Sequence, residues 1–518
     1  MSQTTQVQIN TYEASPDTQR FVHQLSANLQ GQRPQQNHSK EDLILKHNGN
    51  LSLREAPSEV HPVKQVVLPT AYSPSTSPLD SLQKISLSDL KLETHHRGSF
   101  VTATTITAPY QSSETITIIQ EETGHIAVLV LAFQDEVHQI AGSSLPLNST
   151  VAIKEPYVQF SEESDYVIRV DHPSDIAVLR GDDPAVSMIM RFVAEKKEIS
   201  PEEWKNAGDG AYLEKKYSSA IECYTQAIDN GSKNDQTFIR DTYRKRAYAN
   251  LTSERFQNAK EDALASRSGG VDDAKSYYAA GRAAYALREY SESKEYFEKA
   301  LRISPNNLRC GKDLIQVLAR IDEEQHGIYD FEAMSLSVTD QYIYLDHADF
   351  SRATILGDTL HAGRGLFAAR DIEAGGLVLC EKAFCLPDLY SSDQINDFVL
   401  FNLNNNTRTQ RPAQTALFLQ LVQKLYSNPH LNARYFDLDG GGYSRTGKEG
   451  TLVDGVPVID TFLTEAIRIR NCFSSPRLSR SLMKRNYSAS EAALSTGLWT
   501  KASYINHSCA PNLRARLH

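Results

Sequence analysis

The run Ser503–Tyr504–Ile505–Asn506–His507–Ser508–Cys509 concentrates groups able to do chemistry: a phenol, an amide, an imidazole, two hydroxyls and a thiol. Ala510, Pro511 and Asn512 follow it. Three readings compete. Nucleophilic catalysis would pair Ser508 or Cys509 with His507. Successive side chains on an extended segment point to opposite faces, and a nucleophile and its base normally come from separate places in the chain, so a triad is disfavoured. A zinc site needs about four ligands; His507 and Cys509 are two, and no Cys-x-x-Cys follows. The third reading is a polar turn after a buried strand, Ser503–Ile505, with no chemistry of its own.

A second candidate lies upstream, in "HAGRGLFA", where Gly363 and Gly365 flank Arg364. Glycine permits backbone conformations and close approaches that other residues forbid. A ligand could therefore lie against the main chain here, with an ordinary tight turn as the plain alternative. No helix is expected to follow, so the dinucleotide and P-loop readings fail on context.

Taken together, "GRGLF" and "NHSCAPN" resemble the SET domain of protein-lysine methyltransferases, over about residues 353–518. The long stretch between the two marks resembles the split arrangement of the SMYD group and of fungal proteins that join tetratricopeptide repeats to a SET domain. "IDTFLTEAIRIRNCFSSP" adds Asn471 and Phe473, an Asn-x-Phe that such chains carry after their insert. The resemblance implies S-adenosyl-L-methionine as cofactor. It implies that Gly363, Arg364 and Gly365 touch it, that Asn471 contacts it through its amide, and that Asn506 and His507 hold its adenine and amino-acid parts. Cys509 matches a residue that shares a zinc with later cysteines in many members. Family members continue past this motif to a channel tyrosine. Here "LRARLH" follows it, and no cysteine-rich finger lies between the two marks. The SET domain is therefore expected to be incomplete at its C-terminal end and weak or inactive in methyl transfer, with no catalytic residue assigned and no metal.

These residue types suit methyl transfer. The sulfonium donor carries the driving force. The protein must align amine, methyl and sulfur and exclude water, and the lysine amine, with a pKa of about 10.4 in water, must lose a proton. Backbone carbonyls can polarise the methyl through weak C–H···O contacts. Amides, an imidazole and glycines serve those needs better than an acid–base pair.

The remaining sequence must position these groups. With 518 residues, about three domains are expected. Residues 1–95 are rich in Gln, Ser, Thr, Asn and Pro and are expected to be disordered, with "LDSLQKISLSDLKL" as a short or transient helix. Residues 96–182 carry short β-branched runs and a hairpin turn at Glu121–Gly124, and predict a small antiparallel β module. Residues 200–307 repeat. Trp204, Gly208, Tyr217, Ala220, Tyr224 and Ala227 recur as Tyr243, Ala247, Phe256 and Ala259, then as Tyr277, Gly281, Tyr290, Phe297 and Ala300, the spacing of three tetratricopeptide units. Residues 308–347 read as a helical linker. Residues 353–518 read as strand, glycine turn, strand, turn, strand, then loops at 403–410 and 437–450, with a basic solvated run at 468–485.

The fold class expected is thus multidomain α+β, with a β module, an all-α repeat stack and a β-rich SET domain holding a helical insert. A subset of such repeats clamps chaperone C-termini. Lys205 and Lys275 match that clamp, whereas Asp209, Lys245 and Ala279 do not, so a general protein-binding surface for a substrate or partner is expected. The formal net charge of −10 disfavours direct nucleic-acid binding. Six scattered cysteines and a polar start point to reduced thiols in the nucleus or cytoplasm. No apolar run long enough to cross a membrane occurs. The functional expectation is a protein-lysine methyltransferase. Its rival is a non-catalytic repeat scaffold with a degenerate SET domain.

Overall fold

A computed structural model describes residues 27–35, 37–55, 64–111, 114–133, 147–161, 164–179, 199–232, 234–267, 273–337, 345–360, 363–387, 398–404, 407–409, 412–475 and 496–507, with 145, 270 and 513 singly. The fold is multidomain α+β, as expected. The polar N-terminal stretch differs from expectation. It forms helix α1 (Lys40–Glu55) and strand β1 (Lys64–Leu68). Leu43 packs with Ile118 and Ile126, Val66 and Leu68 enter a core with Leu400 and Phe418, and Leu87 and Leu90 are buried under a sheet. Composition predicts disorder because apolar residues are sparse locally. These few find partners far along the chain, which no local window contains. Residues 1–26 lie outside the described residues. The expected helix near residue 85 is instead two 3-10 turns, Leu79–Ser81 and Leu87–Asp89, around a short strand.

Strands β2 (Gln83–Lys84), β3 (Thr94–His95), β4 (Ser99–Thr105), β5 (Tyr110–Gln111), β6 (Thr115–Gln120), β7 (Ile126–Leu131), β8 (Thr150–Lys154), β9 (Tyr157–Ser161), β10 (Asp165–Val170) and β11 (Ile176–Val178) form one sheet. Most neighbours are antiparallel, but β7 with β10 and β2 with β4 run parallel. The β6–β7 turn falls at Glu121–Gly124. The Glu121 amide donates to the His125 carbonyl at 2.9 Å, and Gly124 takes φ +91°.

The repeat region folds as helix pairs: α2 (Pro201–Leu213) with α3 (Tyr217–Asp229), α4 (Gln236–Thr252) with α5 (Phe256–Ala265), and α6 (Ala274–Ala286) with α7 (Tyr290–Ile303). Small residues do the joining. A Cβ on Gly208 would stand 2.7 Å from the Tyr224 ring, and one on Gly281 would stand 2.6 Å from Phe297. Each pair turns through a residue with positive φ, at Lys215, Glu254 and Arg288. Helix α8 (Leu308–His326) follows, ending at Gly327 with φ +67°, then α9 (Phe331–Ser337).

In the last block, β12 (Thr354–Asp358) and β13 (Arg364–Ala368) make an antiparallel hairpin. The third strand expected after it is reduced to two isolated bridges, Phe350 with Cys380 and Cys385 with Leu498. Strand β14 (Phe398–Asn402) pairs parallel with β1 and antiparallel with β15 (Thr407–Thr409), so the run expected as a loop at 403–410 contains a strand. Helix α10 (Pro412–Ser427) buries Leu417, Phe418, Leu421 and Leu425 against Phe384, Tyr435, Leu463 and Ile467. Those partners belong to α11 (Asn432–Phe436), α12 (Thr461–Asn471) and the segment before β14. Strands β16 (Leu452–Val453) and β17 (Val456–Pro457) precede α12, and β18 (Cys472–Ser474) pairs with β19 (Thr496–Leu498). The basic run expected to be solvated begins inside the core. Arg468 is 2% exposed and held by Glu465 at 2.6 and 2.7 Å. Its residues 476–485 lie outside the described residues.

The sheet docks on this block through buried polar groups. His172 Nδ1 lies 3.0 Å from Thr461 Oγ1, His172 Nε2 lies 3.0 Å from the Tyr72 carbonyl, and the Tyr72 ring packs tilted against Phe462 with centroids 5.3 Å apart. Lys154 reaches Asp454 at 3.2 Å. Among the described residues no helix is long and apolar enough to cross a membrane.

Two glycines of α2 separate packing from propensity. Gly210 has nothing within 4 Å of its would-be Cβ. Gly208→Ala is expected to destabilise the repeats by about 1–3 kcal/mol through overpacking on Tyr224. Gly210→Ala is expected to stabilise them by about 0.5–1 kcal/mol. Urea unfolding of both variants checks the opposite signs.

Candidate functional site

The β12–β13 hairpin puts Gly363, Arg364 and Gly365 at its turn and second strand. Gly363 has φ +65° and open space where a Cβ would be. Gly365 is the reverse: a Cβ there would fall 2.4 Å from Asn506 Nδ2 and 3.1 Å from the Thr359 methyl. Asn506 Nδ2 donates to the Arg364 carbonyl at 3.4 Å, across 142 positions of chain. The glycine turn and the amide near the C-terminal end are therefore in contact. His507 follows directly and is exposed. The segment expected as a buried strand, Ser503–Ile505, is a 3-10 turn (Ala502–Tyr504) with Ile505 45% exposed. Among the described residues no strand pairs with it, and its first amides bond the Glu381 side chain instead. Cys509 lies outside the described residues.

A second layer was not legible in sequence. The turn Asp437–Gly441 follows α11 and meets two of the expected residues, Arg364 and Asn471. Arg364 Nη1 donates to both Asp437 carboxylate oxygens at 3.0 and 2.9 Å, and Arg364 Nη2 donates to the Asp437 carbonyl at 2.6 Å. The Tyr504 hydroxyl donates to Asp437 at 2.5 Å, and the Arg364 guanidinium stands 5.2 Å over the Tyr504 ring. Asn471, last residue of α12 and 6% exposed, donates from Nδ2 to the carbonyls of Asp439 and Ile467 at 2.8 and 2.7 Å. Ser503 Oγ donates to the Asn471 carbonyl at 3.2 Å. Four segments thus converge: the hairpin, the 437–441 turn, the end of α12 and residues 502–507. Tyr504 carried the one available signal, because it stands two residues before Asn506.

The electrostatics follow from these partners. The Asp437 hydrogen bond holds the Arg364 guanidinium above its ordinary value. Burial pushes the Asp437 carboxyl up, but the Tyr504 hydroxyl and Arg364 outweigh it and hold Asp437 below the usual range. Burial and the Asp437 carboxylate push the Tyr504 phenol up to about 12. The corner is an arginine–carboxylate–phenol triangle, and it leaves the exposed backbone at Gly363 and Arg364, with Asn506, as neutral dipoles beside it.

In the repeats, Lys205 pairs with Asp241 at 2.5 Å, and Asp209 accepts from Lys245 at 2.7 Å and from the Tyr224 hydroxyl at 2.8 Å. Lys205, Phe238, Arg240, Asp241, Arg244 and Asp273 line a groove of about 490 Å³. It lies in the repeat stack, away from the Arg364 cluster. Among the described residues no group of three or more His, Cys, Asp or Glu forms a metal site.

Residues 363–518 match the SET domain family, and residues 274–307 match the tetratricopeptide repeat. The chain carries both modules. A protein of Gibberella zeae named "Methyltransferase" is 29% identical over 469 residues, covering 88% of this chain and 64% of that protein. The chain thus spans less than two thirds of that relative's length. Human RNA polymerase II-associated protein 3 is 29% identical over 123 residues, 24% of this chain and 18% of that protein. Among solved structures, the first repeat domain of Spaghetti (RPAP3), bound to an HSP90 peptide, is 25% identical, covers 23% of this chain and 90% of its own, and has a TM-score of 0.21.

The phenol provides a direct test of the triangle. A raised phenol pKa favours the neutral form in the folded state. The resulting stability is present below the ordinary value of about 10 and is lost as pH climbs through about 12. Phenolate absorbance, taken as a difference against Tyr504→Phe, should show one tyrosine titrating near 12, and Asp437→Asn should bring it down toward 10.

Proposed function

We propose that the chain is an S-adenosylmethionine-dependent protein-lysine methyltransferase whose repeats bind the protein substrate or a partner. The observation that carries this is the contact between Gly365 and Asn506. Two short motifs, each ambiguous alone, share one exposed corner, and the glycine makes room for the amide. The SET match and the Gibberella relative support the same reading.

The residues present fit the donor in kind. S-adenosylmethionine, when bound, supplies a methyl group on a sulfonium. Gly363 leaves backbone uncovered for close approach, and Gly365 makes room for Asn506. Asn506 offers a carboxamide and His507 an imidazole to the adenine and amino-acid parts. The Asp437 carboxylate lies beside them, already neutralised by Arg364. Asn471, whose amide hydrogens are engaged by Asp439 and Ile467, contributes by holding the 437–441 turn rather than by reaching outward. Arg364 does the same by gripping Asp437. A second reading, a non-catalytic repeat scaffold, draws on that observation, since two of the expected cofactor residues have their donors satisfied by the protein itself.

Calorimetry and thermal shift separate the two. At about 1 mM S-adenosylmethionine the full chain should release heat and gain stability by mass action. Gly365→Ala, which pushes a methyl into Asn506, should weaken binding by about tenfold or more. Gly311→Ala, in open space on α8, should bind like the unaltered chain. No heat and no shift would favour the scaffold.

A further inference from the structure

We propose that Glu381 is a positioning residue for this corner, a carboxylate clip that sets two of its walls at once; the inference rests on the donor-binding reading above. Glu381 stands between the hairpin and β14, and its side chain is 2% exposed. Oε1 accepts from Arg434 Nη2 at 2.7 Å, from Thr500 Oγ1 at 3.0 Å and from the Lys501 amide at 2.8 Å, and Oε2 accepts from the Ala502 amide at 2.8 Å. The partners belong to two walls. Lys501 and Ala502 open the 3-10 turn that delivers Tyr504, Asn506 and His507. Arg434 lies on α11, three residues before Asp437, which receives Arg364 and Tyr504.

No local side chain caps that 3-10 turn. Without another acceptor its first amides, at the exposed Lys501 and the half-buried Ala502, would have only solvent to bond. A carboxylate some 120 positions away in sequence supplies the acceptors instead, and charge assistance makes these bonds shorter and stronger than neutral ones. A hydrophobic cap could fill the space but could not fix direction. Two oxygens reading two amides and a guanidinium fix the turn in both rotation and height. Asn506 then arrives within reach of the Arg364 carbonyl, where a drift of an ångström would lose the contact. Arg434 extends the clip toward the repeats. It contacts Thr500 through Nε and stands 4.0 Å from Asp349, which also pairs with Arg288 at the turn between α6 and α7. Asp349 in turn accepts the Lys382 amide at 2.6 Å. The stack and the pocket are therefore joined through two carboxylates.

The test uses the full chain. Glu381→Gln keeps the shape and removes the charge. The expected result is a loss of S-adenosylmethionine affinity of about tenfold, with amide exchange about tenfold faster across residues 499–507 and 432–437 and the rest of the chain unchanged. A cap that is merely structural would leave affinity in step with global stability, so an unfolding midpoint that falls in proportion to affinity overturns the proposal. Unchanged affinity, or unchanged exchange at 499–507, also overturns it. Should Glu381→Gln fail to fold, Arg434→Gln removes one of the clip's bonds from a residue that is 37% exposed. It should show the same two effects at smaller size, and its failure to show either overturns the clip. Absence of binding by the unaltered chain overturns the donor reading, while the exchange measurement still decides whether Glu381 sets the turn.

Discussion

One steric fact organises the C-terminal block: the Asn506 carboxamide occupies the place where a side chain on residue 365 would begin. The bond from Asn506 to the Arg364 carbonyl is long, 3.4 Å, and a hydrogen bond nets only about 1 kcal/mol. Closing a loop of 142 positions costs about 4 kcal/mol. The contact therefore cannot hold itself together. It is a consequence of everything packed beneath it, and its geometry measures how well the α10–α12 core and the 499–507 segment are held. Leu417, Phe418, Leu421 and Leu425 of α10 lie under Tyr435 and Phe384, so α11 and the segment before β14 rest on one apolar base. The polar ties above that base then have fixed starting points.

The same logic governs how the modules meet. The sheet, the repeats and the last block each have their own apolar cluster, and polar groups orient them. His172, buried between the Tyr72 carbonyl and Thr461, is pushed by burial down to about 3. It stays neutral and serves as a fixed donor–acceptor bridge. Lys154, 1% exposed, faces Asp454. A buried ion pair adds little net stability, but removing one partner strands a charge. Such contacts penalise any other docking angle. Apolar burial drives the modules together, and the imidazole and the lysine select one arrangement.

How much of this was legible depended on range. The repeats were readable because each unit writes its own packing: Gly208 faces Tyr224 and Gly281 faces Phe297, sixteen positions apart in both cases, so one period encodes one contact. The Glu121–Gly124 turn was readable for the same local reason. The glycine turn and the Asn506–His507 pair were readable as motifs, though their proximity was not derivable from either alone. What failed was what distance decides. Leu43, Val66 and Leu90 looked too sparse for order because their partners, such as Ile118, Leu400 and Ile168, lie elsewhere in the chain. Arg468 read as a surface base because Glu465, three residues before it, carries no mark that the turn of helix faces inward. Asp437 read as a loop residue because nothing in "DLDGGG" announces Arg364.

The charge arrangement at the corner narrows what the pocket could prefer. Arg364 is the cation at the corner, and Asp437 and the Tyr504 ring hold it. An anionic ligand would have to compete with a carboxylate already bonded in bidentate fashion, whose displacement would leave Asp437 without its counter-charge. A ligand with net positive charge meets the mirror conflict, because Arg364 already neutralises Asp437. The pair is close to neutral overall and stands beside the neutral dipoles of the Asn506 amide and the residue 364 carbonyl. On the donor reading, this makes the triangle a fixed border rather than a hand that grasps the cofactor's own carboxylate, and the arginine's task is to keep that border in place.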